Sequence, residues 1–146
     1  MNIIIKKADL EDIREIAKIY AEEFSKPPYN ESWTEDKAIF KITKFFSFCD
    51  IWKASIDNKI AGFIIINPNY WCPGEIVFGE EIAISQQYQM KGIGTQLVTK
   101  ILEEYKSKGY KRFMGIININ SKSLNLFKKF DLEKDKENIV IGVDLK

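Results

Sequence analysis

Residues 80–105, EEIAISQQYQMKGIGTQLVTKILEEY, decide how this chain folds. Ile82 and Ile84 alternate with Ala83 and Ser85, a β-branched pattern of period two that predicts a strand. A polar turn, Gln86 to Lys91, leads into Gly92-Ile93-Gly94-Thr95. Beyond it Leu97, Val98, Ile101, Leu102 and Tyr105 recur at helical spacing. Lys106, Lys108 and then Gly109 are the composition that stops a helix. A strand, a glycine-bearing turn and a helix leave backbone N–H groups free at a helix N-terminus, where they can bind phosphate.

Three phosphate-binding patterns compete for this turn. The P-loop needs Gly-Lys-Ser/Thr, and Thr95-Gln96 follows Gly94 instead. The dinucleotide fingerprint needs a third glycine where Leu97 stands. Gln89-Met90-Lys91-Gly92-Ile93-Gly94 satisfies Gln-x-x-Gly-x-Gly, and it resembles the coenzyme A pyrophosphate loop of the GNAT superfamily of acyl-CoA-dependent N-acyltransferases. Gly92 and Gly94 would let the main chain approach an anion closely. Thr95 adds a hydroxyl and Lys91 a charge.

At 146 residues the chain is expected to form a single domain over 1–146 with its own core. A formal net charge of +1 speaks against nucleic acid as a partner, because no excess of basic residues is present to neutralise phosphates. Cys49 and Cys72 are no disulfide framework, no secretory signal opens the chain, and the apolar run Ile60–Ile66 is too short for a membrane span. These features predict a cytoplasmic protein without a membrane partner. The chain has no histidine, which removes both the commonest general base and the commonest metal ligand, and no metal is expected.

In chain order, Asn2–Lys6 predicts a first strand. Ile13, Ile16, Ala17, Tyr20 and Phe24 mark a first helix, which the Pro27-Pro28 loop breaks. Thr34 caps a second helix, with Ala38, Ile39, Ile42, Phe45 and Phe46 as its buried face. Strands follow at Ile51–Ile56 and Ile60–Asn67, joined by the hairpin composition Asp57-Asn58-Lys59. After a loop at Pro68–Gly74 come a strand at Glu75–Ile84, the turn and helix above, and a strand at Arg112–Ile117. A short helix at Ser121–Phe130 and a closing strand at Ile139–Leu145 complete the order. Antiparallel strands before one crossover helix predict an α+β (mixed α/β) fold.

That order is also the element order of the GNAT acyl-CoA N-acyltransferase fold, a central, mostly antiparallel mixed sheet flanked by helices. A second motif agrees. The family's Asn-x-x-Ala-x-x-Leu-Tyr-x-Lys-x-Gly-Phe is similar to residues 120–132, with Asn120, Ser123, Leu126 and Lys129 in register. Phe127 stands where the family has a tyrosine thought to protonate the leaving thiolate, Asp131 replaces a glycine, and Leu132 a phenylalanine. A phenyl ring cannot donate a proton. A thiol with a pKa of ~8.5 can take one from water or another hydroxyl.

The resemblance implies acetyl-CoA as acyl donor and an amine of a small molecule or peptide as acceptor, joined by direct attack in a ternary complex. Ile82, Ala83 and Ile84 would pair with the pantetheine arm through their backbone. Gln89 to Thr95 would hold the pyrophosphate, and Asn120, Ser123 and Phe127 would line the coenzyme channel. Lys91, Lys128 and Lys129 are candidate phosphate contacts. An ammonium with a pKa of ~10.4 must lose a proton before attack, so a base matters more than an acid. Glu80 and Glu81 are the candidates, because a carboxylate in an apolar strand has a raised pKa. Strict alternation puts Glu80 on the face of Ile82 and Ile84, and Glu81 on that of Ala83, and the choice falls narrowly on Glu80.

Tyr29, Glu31, Trp33 and Trp71 are the candidate acceptor contacts, aromatic and acidic groups suited to a cationic amine. Cys72 reads as a small loop residue, with no base near it in sequence. The alternative function is a catalytically silent acyl-CoA-binding or regulatory module on the same fold, suggested by Phe127 and Asp131. Homodimers are common in the family, and nothing in the sequence itself establishes one here.

Overall fold

The structure, a computed structural model, describes residues 1–145. Strand β1 (Ile4–Lys7) is followed by helices α1 (Ile13–Phe24) and α2 (Glu35–Phe48), then strands β2 (Asp50–Ile56), β3 (Lys59–Asn67) and β4 (Ile76–Ile84). Helix α3 (Ile93–Ser107), strand β5 (Arg112–Gly115) and helix α4 (Lys122–Lys128) complete it. The sheet has five strands in the order β1-β2-β3-β4-β5, all antiparallel except the β4–β5 pair.

Local chemistry explains most boundaries. The Thr34 side chain accepts from the Lys37 N–H at 3.2 Å, the N-cap expected of that residue. The β2–β3 hairpin turns on Asp57 (φ 50°) and Asn58 (φ 62°), two left-handed residues whose twist matches the strands they join. Gly109 ends α3 with φ 91°, a conformation open to glycine at no steric cost.

The sheet is covered on both sides. Ile16, Tyr20, Ile42, Phe45, Phe63 and Ile65 form one core beneath α1 and α2. Ile64, Ile66, Val77, Leu97, Val98, Ile101 and Phe127 form the other beneath α3 and α4. This double burial is why β3 reads as a continuous apolar run rather than an alternating one. Across the α1/α2 face Lys53 binds Asp12 at 2.7 Å, both largely buried.

Two irregularities open the sheet near its centre. The β3–β4 register slips between Ile65 and Ile66, so that Ile65 opposes Glu81, Ile66 opposes Gly79, and Glu80 is the extra residue of a β-bulge. Furthermore, β4 pairs with β5 only from Ile76–Gly79, opposite Arg112–Gly115. From Glu80 onward the β5-facing edge of β4 is unpaired among the described residues.

Four sequence expectations change. Strand β1 lies at Ile4–Lys7 rather than Asn2–Lys6, and α4 is shorter than Ser121–Phe130. Strand β5 stops at Gly115 rather than Ile117, because β4 diverges there and removes its pairing partner. Ile139–Leu145 has strand composition but forms no strand among the described residues, because no edge is brought beside it.

Candidate active site

Where β4 and β5 separate, a cleft of about 330 Å³ opens, lined by Phe24, Tyr29, Glu31, Glu80, Glu81, Ile82, Ile116, Ile117, Asn118 and Ser123. Its floor is the bulged stretch of β4. Glu81 opposes Ile65 and so lies on the α1/α2 face. Gly79 opposes Ile66 on the other face, and the bulge turns Glu80 to the α1/α2 face as well. Strict alternation had separated the two carboxylates. The inserted residue brings them together.

Their environments differ. Burial raises the Glu81 carboxyl to about 8, the charges of Glu31 and Glu80 add to the rise, and Lys41 and the Tyr20 hydroxyl oppose it. Burial also raises Glu80, but Lys41 and a hydrogen bond with Asn67 offset part of that. Both sequence candidates, Glu80 and Glu81, line the cleft, and Glu81 has the further carboxylate of Glu31 acting on it. Tyr20, whose own hydroxyl is pushed far up by burial and by Glu81, is a cleft-side residue that sequence reading assigned only to the core. Its place on the α1 apolar stripe concealed that contact.

The turn after β4 builds a second half of the site. Gly92 caps α3 in the left-handed conformation (φ 80°), and a Cβ added there would meet nothing within 4 Å. No side chain caps this helix and its first turn carries no acid. The first α3 bond is Gln96 N–H to Gly92 O at 3.1 Å, which leaves the N–H groups of Ile93, Gly94 and Thr95 ahead of it. An open, uncapped helix start beside Lys91 and an exposed Met90 fits an anion such as pyrophosphate. The unpaired edge of Glu80–Ile84 likewise offers backbone groups to an extended arm.

Gly94 has a different reason. A Cβ there would lie 3.0 Å from Leu126 Cδ2, so this glycine lets α4 approach α3. Gln89 is a tie as much as a contact: its Nε2 donates to Glu23 Oε2 (2.9 Å) and Ile84 O (2.8 Å), and its Oε1 accepts from Lys122 Nζ (3.1 Å). The Lys91 ammonium sits 5.8 Å from the Tyr88 ring centre.

Other sequence candidates scatter. Tyr29 and Glu31 reach the cleft, Tyr29 also packing on Phe24 with ring centres 4.8 Å apart. Trp33 instead packs edge-on against Tyr20 at 4.7 Å and borders a shallow groove with Phe40 and Lys41. Trp71 is exposed beside Tyr70, which stacks on Phe78 at 4.0 Å, and it does not line the cleft. Ser123 lines the cleft, its hydroxyl 3.0 Å from that of Ser121. Asn120 is exposed, its backbone N–H held by Asn118 Oδ1 at 2.8 Å. Phe127 is buried and stacked 5.9 Å from Phe113, so it serves the core. Ile116, Ile117 and Asn118 were missed as site residues because their position depends on where β5 leaves the sheet. Among the described residues no acid, Cys or His group is placed to hold a metal, and no helix is long and apolar enough to cross a membrane.

Comparison with known proteins agrees with this geometry. The chain is 36% identical over 56 residues to the mouse (Mus musculus) thialysine N-epsilon-acetyltransferase, a match spanning 38% of this chain and 33% of that protein. A structure described as a possible acetyltransferase from Clostridium difficile 630 superposes with a TM-score of 0.82, covering 100% of both chains at 13% identity. AAC(6')-Iy in complex with the bisubstrate analog CoA-S-monomethyl-acetylneamine superposes at 0.73, again over 100% of both chains, at 12% identity. These two likenesses are of fold. The sequence model of the acetyltransferase (GNAT) family matches residues 10–132, nearly the whole chain, and the protein belongs to that family.

Proposed function

We propose that this protein transfers the acetyl group of acetyl-CoA to a primary amine of a small cationic molecule or peptide, by direct attack within a ternary complex, with Glu81 as general base. The observation that carries the reading is the half-buried Glu81, set beside Glu80 and Glu31 where β4 and β5 part. A carboxylate at about 8 closes much of the gap to an alkylammonium at ~10.4, leaving ~3 kcal/mol for proton transfer against ~8 kcal/mol for an ordinary glutamate. Three acidic groups on one wall draw a cation in, and the Tyr29 ring supports it.

The coenzyme supplies an activated acyl group. The chain's own residues do the rest. The uncapped α3 start and Lys91 would hold the pyrophosphate, the free edge of Glu80–Ile84 would align the arm, and a β4 N–H would polarise the carbonyl. Glu81 would take the proton of the amine and so free its nitrogen to attack the acyl carbon, with the thiolate as the leaving group. Ser123 and Tyr29 line the same cleft, and a hydroxyl of either would be able to return a proton to sulfur, a role Phe127 cannot fill.

Thiol release from acetyl-CoA across aminoglycosides, polyamines, amino acids and short peptides tests the reading, with coenzyme binding followed by calorimetry. Turnover with one amine class supports it. The packing of Phe127 in the core favours one second reading, a coenzyme-binding module without catalysis. Tight coenzyme binding with no turnover across the panel would select it.

A further inference from the structure

Given the coenzyme and acceptor sites proposed above, on which this rests, we infer that Glu23 is a positioning residue. Its carboxylate ties the loop carrying Tyr29 and Glu31 to the turn at Gln89, so that coenzyme bound at the turn orders the acceptor loop. Glu23 sits in the last turn of α1 with its side chain 15% exposed. The negative end of a helix disfavours an acid, so this carboxylate is held by its partners and not by its helix. Its Oε1 accepts from Lys26 Nζ at 3.0 Å, and its Oε2 accepts from Gln89 Nε2 at 2.9 Å.

Each partner continues the chain of contacts. The Lys26 ammonium also donates to Gln86 Oε1 at 2.9 Å, reaching the turn a second time. The Lys26 carbonyl accepts from the N–H groups of Tyr29 and Asn30, both at 3.0 Å, and the Glu31 N–H donates to Phe24 O at 3.1 Å. Tyr29 and Glu31, which line the cleft, thus hang from Lys26 and Phe24. On the other side Gln89 donates to Ile84 O at 2.8 Å and accepts from Lys122 Nζ at 3.1 Å. Both amide hydrogens and the oxygen of Gln89 are engaged, so its side chain cannot turn away without breaking all three bonds. A ligand that fixes the Gln89–Thr95 turn therefore fixes Gln89, and through Glu23 it fixes Lys26 and the loop beyond.

Only a carboxylate suits this place. Both partners are donors, an ammonium and an amide N–H, so the bridging group must accept twice. A glutamine of the same shape has one acceptor and one donor, and it would meet one of the two partners with an N–H. The bridge also stands apart from proton transfer, since Glu23, Lys26 and Gln89 do not line the cleft. Coupling of this kind is reciprocal: an amine held against Tyr29 and Glu31 tightens the coenzyme by the same factor.

Amide hydrogen exchange of the full chain, with and without coenzyme A at a concentration shown by calorimetry to saturate it, tests this. The loop's reporters are Ser25, Lys26, Tyr29, Asn30 and Glu31, each with its N–H bonded to the end of α1 or within the loop. In the wild type their exchange is expected to slow at least ~5-fold when coenzyme A binds. In Glu23→Gln that slowing is expected to vanish. Lys26→Met cuts the bridge on the loop side alone, so it is expected to lose the slowing in the loop and keep it in 89–96. A merely structural role would speed loop exchange equally with and without coenzyme A, leaving the ratio of the two rates at its wild-type value. An unchanged ratio in either variant overturns the inference, as does a wild-type loop that ignores coenzyme A while binding it. Failure of the wild type to bind coenzyme A at all would instead refute the coenzyme site, and the inference with it.

Discussion

Glu81→Gln separates two consequences of one half-buried carboxyl. In the wild type, burial together with Glu31 and Glu80 raises this group from 4.5 to about 8. The folded state thus holds its proton over a range where the unfolded chain has lost it. A raised folded-state pKa gives stability that is complete below the unfolded value and is lost as pH climbs through the folded one. Between about pH 6 and pH 9 this single group removes ~2.6 kcal/mol of folding stability at most. Glutamine does not titrate. The melting temperature of Glu81→Gln should therefore fall less than that of the wild type over that range, and the variant should be the more stable protein at the alkaline end. In kinetics, kcat/KM of the wild type should rise with pH to a plateau above about 8, and the variant should lose ~10²–10⁴-fold together with that limb. Melting curves across pH and a thiol-release assay read the two effects separately. The assignment fails if the variant keeps the acidic limb, or if Glu80→Gln removes it instead. Identical pH slopes in the melting curves would refute the burial argument even if activity fell.

Three further expectations rest on the packing. Gly92→Ala forces a left-handed alanine into open space, so it should cost ~1–2 kcal/mol in thermal stability and weaken coenzyme A binding measured by calorimetry; unchanged affinity would detach the loop from the coenzyme. Gly94→Ala drives a methyl to within 3.0 Å of Leu126, so it should destabilise by ~1 kcal/mol, and the double variant with Leu126→Ala should recover less than additively if the two touch. Asp12→Ala leaves the largely buried Lys53 ammonium unpaired and should cost ~2–3 kcal/mol in denaturant titration. In the wild type burial works against ionisation of Asp12, but the Lys53 contact and the Asp9 N–H win and hold it below its usual value. Its contribution is therefore complete above about pH 4 and fades in acid, and Asp12→Ala should show no such loss.

Most of the fold was legible because its signals are local. The Thr34 cap, the Asp57–Asn58 turn, the α3 stripe from Leu97 to Tyr105 and the Gly109 stop each depend on residues within a turn or two of one another. The glycine-bearing turn was equally readable, since a left-handed Gly92 ahead of an amphipathic run has one geometry. Ile139–Leu145 shows the limit of the same logic: its pattern is that of a strand, but a strand also needs an edge, and only the arrangement of other elements supplies one.

The carboxylates make the division plain. Composition placed two glutamates in an apolar strand and so identified the candidate bases. Which face each occupies depended on a bulge at Glu80, a register slip set by how β3 and β4 meet. Whether Gly94 faces ligand or protein depended on where Leu126 of α4 lands, and whether Trp33 or Trp71 meets the cleft depended on loops packed against distant elements. By itself, the sequence determined the family, the element order as far as α4 and the glycine-bearing turn, because these are written in short-range pattern. The tertiary structure alone decided the shared face of Glu80 and Glu81, the depth of Glu81's burial and the cleft opened by β4 leaving β5, because each is a relation between segments far apart in the chain.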